Sequence, residues 1–214
     1  MASPKKLQIG IMMETVQLSD IMGVDIIGNL SASYYAVVKQ FFGDKFEHLA
    51  PEMEFHWIAS TISPSFATPA MHIVPTKTYD DAPRDLDILF IGGPPPDFRP
   101  AAADKFMEEA FARTKNVLTT CIGSVWLASS GVMNGLKATT NREFLPMAKQ
   151  LYPDVDWLDQ RWVIDGKLWT SGGAGAGIDM TATWCLENFD REFVQLLALG
   201  PLDLKPTVRG QFYA

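Results

Sequence analysis

The stretch NVLTTCIGS, residues 116–124, holds the reading on which the fold turns. Its first half is a short apolar run closed by threonines and reads as a buried strand, while Gly123, Ser124 and the apolar residues after them begin a helix. Cys121 stands between the two. Gly123 falls where a side chain would crowd a tight turn, and Ser124 places a hydroxyl where it can support the first helical turn. A thiol at a sharp strand-to-helix bend is the cysteine analogue of a nucleophile elbow. The unpaired amides of the helix start are expected to favour thiolate over thiol. On these residues alone, a buried structural cysteine at a strand end reads equally well.

Outward from this point, apolar runs of strand length alternate with helical patterns, the signature of βαβ units and a largely parallel sheet. Upstream, LDILFI at residues 86–91 is a continuous apolar strand that ends in Gly92-Gly93 and three prolines, which cannot continue a ladder. A helix is predicted over 101–113. Nearer the N-terminus, strands are predicted at 7–13 and 53–59, helical patterns from about Asp20 and over 34–46, and part of a short hairpin at 71–76. Downstream, a helix over 122–130 stops at Gly131. A short strand at 136–140 and a helix over 143–151 follow, then a hairpin over 161–170 that turns at Asp165-Gly166. The Gly-rich residues 171–177 read as a tight entrance to a helix through Asn188, and Asp190 as the N-cap of the last helix. The segment after Gly200 is expected to pack on the surface and to take part in an oligomer contact.

Composition bounds the partners. The chain has 214 residues, 47% hydrophobic and 20% charged, which suits one α/β domain spanning 1–214. A formal net charge of −7, with no basic cluster beyond Lys5-Lys6, leaves a nucleic acid or an anionic membrane without an electrostatic footprint. No opening apolar segment is long enough for a signal peptide or a membrane span, so cytoplasmic residence is the default. The two cysteines, Cys121 and Cys185, form no CxxC pair, and His48, His56 and His72 show no ligand spacing, so neither a metal nor another cofactor is expected. Cys185 lies on a helical pattern among apolar residues and reads as core.

Chemistry at Cys121 needs a proton carrier and donors for developing negative charge. Two carboxyl groups follow the first strand, Glu14 and Asp20, and burial would raise the pKa of either into a useful range. The residues alone do not choose between them. Consecutive backbone amides at Gly92-Gly93 are candidate oxyanion donors, because that turn and the elbow share the carboxyl edge of a parallel sheet. No histidine follows Cys121, so a papain-like pair has no support.

Six strings in order resemble the ThiJ/PfpI superfamily of class I glutamine-amidotransferase-like proteins. They are METV at 13–16, VQLSD at 16–20 followed by Gly23, Gly92-Gly93, CIGS at 121–124, ATT at 138–140 and AGID at 176–179. The resemblance implies a flavodoxin-like three-layer α/β sandwich, commonly a homodimer, with Cys121 at a strained elbow. The VQLSD string is most similar to the isonitrile hydratase branch, whose acid falls on Asp20. METV is similar to the glutathione-independent glyoxalases and deglycases, whose acid falls on Glu14. Two departures stand out: Ile122 replaces the usual threonine after the nucleophile, and Asn141 replaces a histidine often found after ATT. The Ile122 backbone amide remains as an oxyanion donor beside Gly93.

The leading expectation is a cofactor-independent hydro-lyase acting on a small molecule and resembling isonitrile hydratase, with Cys121 as nucleophile and Asp20 as proton shuttle. The alternatives are a glyoxalase using Glu14, an enzyme of specialised biosynthesis with a larger apolar substrate, and a redox-sensing or chaperone-like protein without turnover.

Overall fold

The computed structural model of the protein describes residues 6–206. Strand β1 (Leu7–Met12) opens the chain and leads through a 3-10 turn (Leu18–Ile21) into α1 (Gly23–Gly28) and α2 (Ala32–Phe42). Strands β2 (Met53–Ala59), β3 (Ser65–Ala67), β4 (Met71–Ile73), β5 (Lys77–Thr78) and β6 (Ile88–Ile91) follow, then α3 (Ala101–Arg113), β7 (Asn116–Thr119) and α4 (Gly123–Ser129). The rest comprises β8 (Lys137–Ala138), a 3-10 turn (Arg142–Phe144), α5 (Leu145–Leu151), β9 (Asp156–Trp157), β10 (Trp162–Asp165), β11 (Leu168–Ser171), α6 (Ala174–Asn188) and α7 (Arg191–Val194).

Seven strands form one sheet in the order β10-β11-β7-β6-β1-β2-β5, parallel throughout except for the β10-β11 hairpin. Alternate side chains of each central strand enter opposite layers, so both faces of the strand must be apolar. Ile88 and Phe90 of β6 join a core with α1, α6 and α7, whereas Leu89 and Ile91 join a second core with α3, α4 and α5. This is the expected three-layer α/β sandwich. Cys185 is fully buried in the first layer, as its apolar neighbours predict.

The register positions the edge that matters. Met12 pairs with Ile91, and Ile91 with Thr119, so β1, β6 and β7 end level with one another. From β1 the chain moves outward to β2 and β5, then returns to the other side of β1 as β6, so the direction of winding reverses between β1 and β6. Ligands of such sheets bind in the crevice beyond the carboxyl ends at this reversal. The segments carrying Glu14 and Asp20, Gly92-Gly93, and Cys121 all leave from there.

Several sequence boundaries shift. The second helix stops at Phe42, because Gly43 takes φ +61° and its amide closes onto the Lys39 carbonyl. The apolar residues past Gly43 therefore serve packing, with Phe46 buried against Phe193. The predicted strand at 136–140 contracts to Lys137–Ala138, and the helix predicted from 143 begins as a 3-10 turn. Asp190 does cap the last helix, accepting from the Phe193 amide at 2.9 Å. Past Gly200, Leu202 and Leu204 pack against the first core; residues 207–214 lie outside the described residues.

Glycines in the recognised strings share a purpose, close approach of backbone. An added Cβ at Gly123 would stand 2.3 Å from the Ile91 carbonyl oxygen, one at Gly23 2.5 Å from Thr181 Oγ1, and one at Gly177 2.5 Å from Thr120 Oγ1. Thus α4 and α6 are pressed against the carboxyl ends of β6 and β7, and α1 against α6. Gly123→Ala is expected to destabilise the fold by about 2–3 kcal/mol through backbone overpacking. Gly175→Ala, at a helical position with open space around it, should instead stabilise by about 0.5–1 kcal/mol. Urea denaturation of the two variants checks both signs.

Candidate active site

Cys121 has φ +58°, in the left-handed region that a side chain enters only when its surroundings hold it there. The surroundings do so from both ends of the residue. Its amide donates to the Gly172 carbonyl at 2.6 Å, extending the β7-β11 register by one step past the strand. Its carbonyl accepts from Thr140 Oγ1 at 3.0 Å and from Ser124 Oγ at 3.3 Å. The Gly123 amide then closes the turn onto Thr120 at 3.0 Å. The bend expected from the residue order is present, and Ser124 supports the first helical turn as its position implied.

The sulfur is 9% exposed with its residue and has three neighbours. Asn141 Nδ2 donates to Sγ at 3.3 Å, the Ile122 backbone amide also reaches the sulfur, and the Asp20 carboxyl lies close enough for charge and hydrogen bonding to act between the two groups. Asp20 itself is 2% exposed, inside the first 3-10 turn and not at its cap position, which belongs to Gln17. One of its oxygens, Oδ2, accepts from the Gly93 amide at 3.3 Å. The other, Oδ1, is shut away from solvent and has no hydrogen-bond partner among the described residues.

Two expectations need correction. The helix start does not make Cys121 a thiolate: burial first, and then the adjoining Asp20 charge, push its pKa up to about 11 against the opposing pull of Asn141 and the Ile122 amide. A helix of seven residues has too weak a field to offset removal of the thiolate from water beside a carboxylate. In addition, the Gly93 amide is not open to a substrate oxyanion in this state, because it is spent on Asp20. Gly92 lies against the same residue, with an added Cβ 3.4 Å from Asp20 Cβ. The Gly-Gly turn therefore orients the carboxyl group, and the Ile122 amide is the backbone donor at the sulfur.

Asp20 moves in the opposite functional direction. Burial raises its pKa to about 6, with the Gly93 bond and the Cys121 contact restraining the rise. At neutral pH the pair thus holds one proton, on sulfur, beside a carboxylate basic enough to receive it.

Glu14 is buried too, but elsewhere in the hydrogen-bond network. Its Oε1 accepts from Tyr79 Oη at 2.9 Å and from the Ser60 amide, and no hydrogen bond joins it to Cys121 among the described residues. Its position ties the end of β1 to β2 and to the segment after β5. The Ile122 side chain fills space that Gly93 leaves open, since a Cβ on Gly93 would stand 2.4 Å from Ile122 Cγ1. The Pro-rich loop is fastened over α4 by Phe98, whose ring meets Trp126 edge-on at 6.1 Å. Asn141 as a donor was not evident from spacing; the signal was its place directly after a string that packs on the elbow.

Comparisons with known proteins agree with this architecture. The DJ-1/PfpI family model matches residues 50–186, more than half of the chain. The isonitrile hydratase of Pseudomonas putida is 29% identical over 155 residues, covering 70% of this chain and 65% of that enzyme, just under two thirds of its length. Among solved structures, a THiJ/PfpI family protein from Pseudomonas syringae superposes with a TM-score of 0.76 at 22% identity, over 96% of this chain and 78% of that one. DJ-1beta of Drosophila melanogaster gives 0.68 at 16% identity, over 92% and 98%. At these identities the structural likenesses speak for the fold.

Replacing Asp20 by Asn removes the charge that, after burial, opposes ionisation of the thiol, and leaves an acceptor for Gly93. Alkylation of Cys121 by iodoacetamide at pH 8 should rise about threefold in Asp20→Asn, as for a thiol pKa lowered by about one unit with burial still holding it up. Site-resolved mass spectrometry reads the rate, and an unchanged or slower rate would contradict the pairing described here.

Proposed function

The chain belongs to the DJ-1/PfpI family, and from that premise we propose that it is a cofactor-independent hydro-lyase that hydrates isonitriles to N-formamides. The observation that carries the reading is the buried Asp20 carboxylate beside the Cys121 thiol, with Oδ1 lacking a hydrogen-bond partner among the described residues. Hydration of an isonitrile needs one nucleophile for the terminal carbon and one group that delivers a proton there and later takes one from water. Similarity to the P. putida isonitrile hydratase supports the choice of substrate.

The residues assign the steps as follows. Asp20 accepts the thiol proton as sulfur attacks the isonitrile carbon, and then delivers that proton to the same carbon, giving a thioimidate on Cys121. Water next adds to the thioimidate carbon: Asp20 takes one of its protons and passes it to nitrogen. The remaining hydroxyl becomes the formamide carbonyl as the carbon–sulfur bond breaks, and its proton returns to sulfur. One water is consumed, and both side chains end as they began. Gly93 keeps the carboxyl group aimed throughout, and the Ile122 amide holds the sulfur between its two bonding states.

Asp20 is favoured over Glu14 as the shuttle because Glu14 already accepts from Tyr79 and Ser60. A redox-sensing role would draw on a thiol ionised at neutral pH, whereas burial and Asp20 keep this one protonated.

A formamide-detecting assay on alkyl and aryl isonitriles tests the proposal. Wild type should turn over, with Cys121→Ala and Asp20→Asn reduced by at least about a hundredfold. Because Asp20 acts as a base first, kcat/KM should fall as pH drops through about 6, where the carboxylate becomes protonated, and hold above it. Absence of formamide with wild type, or full turnover in Cys121→Ala, overturns the reading. Lactate from methylglyoxal, lost selectively in Glu14→Gln, would move the assignment to the glyoxalase branch.

A further inference from the structure

Residues 139–141 are bound to the elbow more closely than a passing loop requires. The Thr139 amide donates to Thr170 Oγ1 at 2.8 Å and Thr139 Oγ1 to the Gln160 carbonyl at 2.9 Å, which fixes the segment beside β11. Thr140 holds the Cys121 carbonyl. Asn141 comes next and meets the Cys121 sulfur, so two consecutive side chains address the backbone and the reactive atom of one residue.

The orientation of the Asn141 amide follows from a second bond. Asn141 is the N-cap of the 3-10 turn Arg142–Phe144, and its Oδ1 accepts from the Glu143 amide at 3.1 Å. Exchange of oxygen and nitrogen would set the NH2 group against a backbone donor and a carbonyl oxygen against sulfur, losing both contacts. The capping bond therefore directs Nδ2 at Sγ. The charged groups nearby do not share this place: Arg142 pairs with Asp159 at 3.2 Å, and Glu143 is exposed. Asp20 is the titratable group that acts on the sulfur, while Asn141 and the Ile122 amide are neutral donors.

We infer that Asn141 is a catalytic residue, its capped side-chain amide serving as a non-titrating donor that holds the Cys121 thiolate formed when the thiol proton passes to Asp20. A thiolate formed between a carboxyl group and apolar walls has lost its water, and a hydrogen bond to the charged form replaces part of that hydration. A histidine in this place would carry its own ionisation into the neutral range, whereas an amide leaves Asp20 and Cys121 as the titrating pair. The inference deepens the proposed reaction and rests on that reading for its substrate, but the donor is testable with none.

Serine and aspartate separate capping from donation, because both accept the Glu143 amide as good N-caps while neither supplies an N–H to sulfur. Cys121 alkylation by iodoacetamide, in which the thiolate forms a sulfur–carbon bond and displaces iodide, should be followed from pH 6 to 10 in full-length protein. Asn141→Ser should slow alkylation at pH 8 about threefold, as for a thiol pKa raised by about one unit and partly offset by greater nucleophilicity. Asn141→Asp should slow it about tenfold or more, because a negative charge then faces the sulfur. Mass spectrometry confines the reading to Cys121, and Cys185 is fully buried. If Asn141→Ser alkylates at the wild-type rate across the range, or Asn141→Asp is no slower than Asn141→Ser, the donor role is overturned. Both results stand whether or not wild type hydrates isonitriles.

Discussion

The site depends on one backbone residue held in the left-handed region. At φ +58° Cys121 turns the chain from β7 into α4 within a residue, which costs about 1–2 kcal/mol relative to ordinary geometry. The Gly172 carbonyl, the Thr140 hydroxyl and the Ser124 hydroxyl offset that cost by satisfying both polar groups of the residue. Without the bend, the sulfur would follow the strand direction into the layer between sheet and helix. With it, the sulfur stands beyond the sheet edge, where β1 and β6 deliver their loops at the same level.

Electrostatics at this edge are set by competition between burial and neighbours. Two donors favour the thiolate, and burial and then Asp20 oppose it more strongly, so the thiol keeps its proton beside a carboxylate of raised pKa. Such a pair differs in kind from an ion pair of thiolate and imidazolium. In the proposed hydration the proton is already located on the group that would lose it, and the base that would receive it is held by Gly93. In that reaction ionisation would be coupled to the arrival of an electrophile, and a thiol that is not standing as thiolate is less exposed to oxidation.

The fold was legible because the central strands carry continuous apolar runs bounded by glycine and proline, as at 86–93, and because the β10-β11 turn and the cap at Asp190 have local chemistry. Local patterns also showed the elbow. The length of α2 was overread, since apolar residues continue past Gly43 for packing reasons that periodicity does not separate from helix. At the site, the residue types were legible and their pairing was not. Asp20 and Glu14 lie six positions apart on one segment, and the partner each meets, Cys121 or Tyr79, is chosen by the three-dimensional path of that segment. The direction of the Cys121 pKa is hidden for the same reason: a helix start is visible in sequence, whereas the burial of the sulfur and a carboxylate brought in from the 3-10 turn after β1 are not.

The departures from the family strings become intelligible in the structure as local exchanges. Ile122 brings no hydroxyl to the site, but its amide is backbone and survives any side chain, and its bulk occupies the volume left by Gly93. Asn141, where a ring nitrogen is often found, reaches sulfur through an amide whose orientation is set by its own capping bond. Each exchange removes a titrating or hydroxylic group from around the sulfur and leaves fixed neutral dipoles in its place. In the proposed reaction the proton chemistry falls to one carboxyl and one thiol, with neutral donors fixed around them by their own hydrogen bonds.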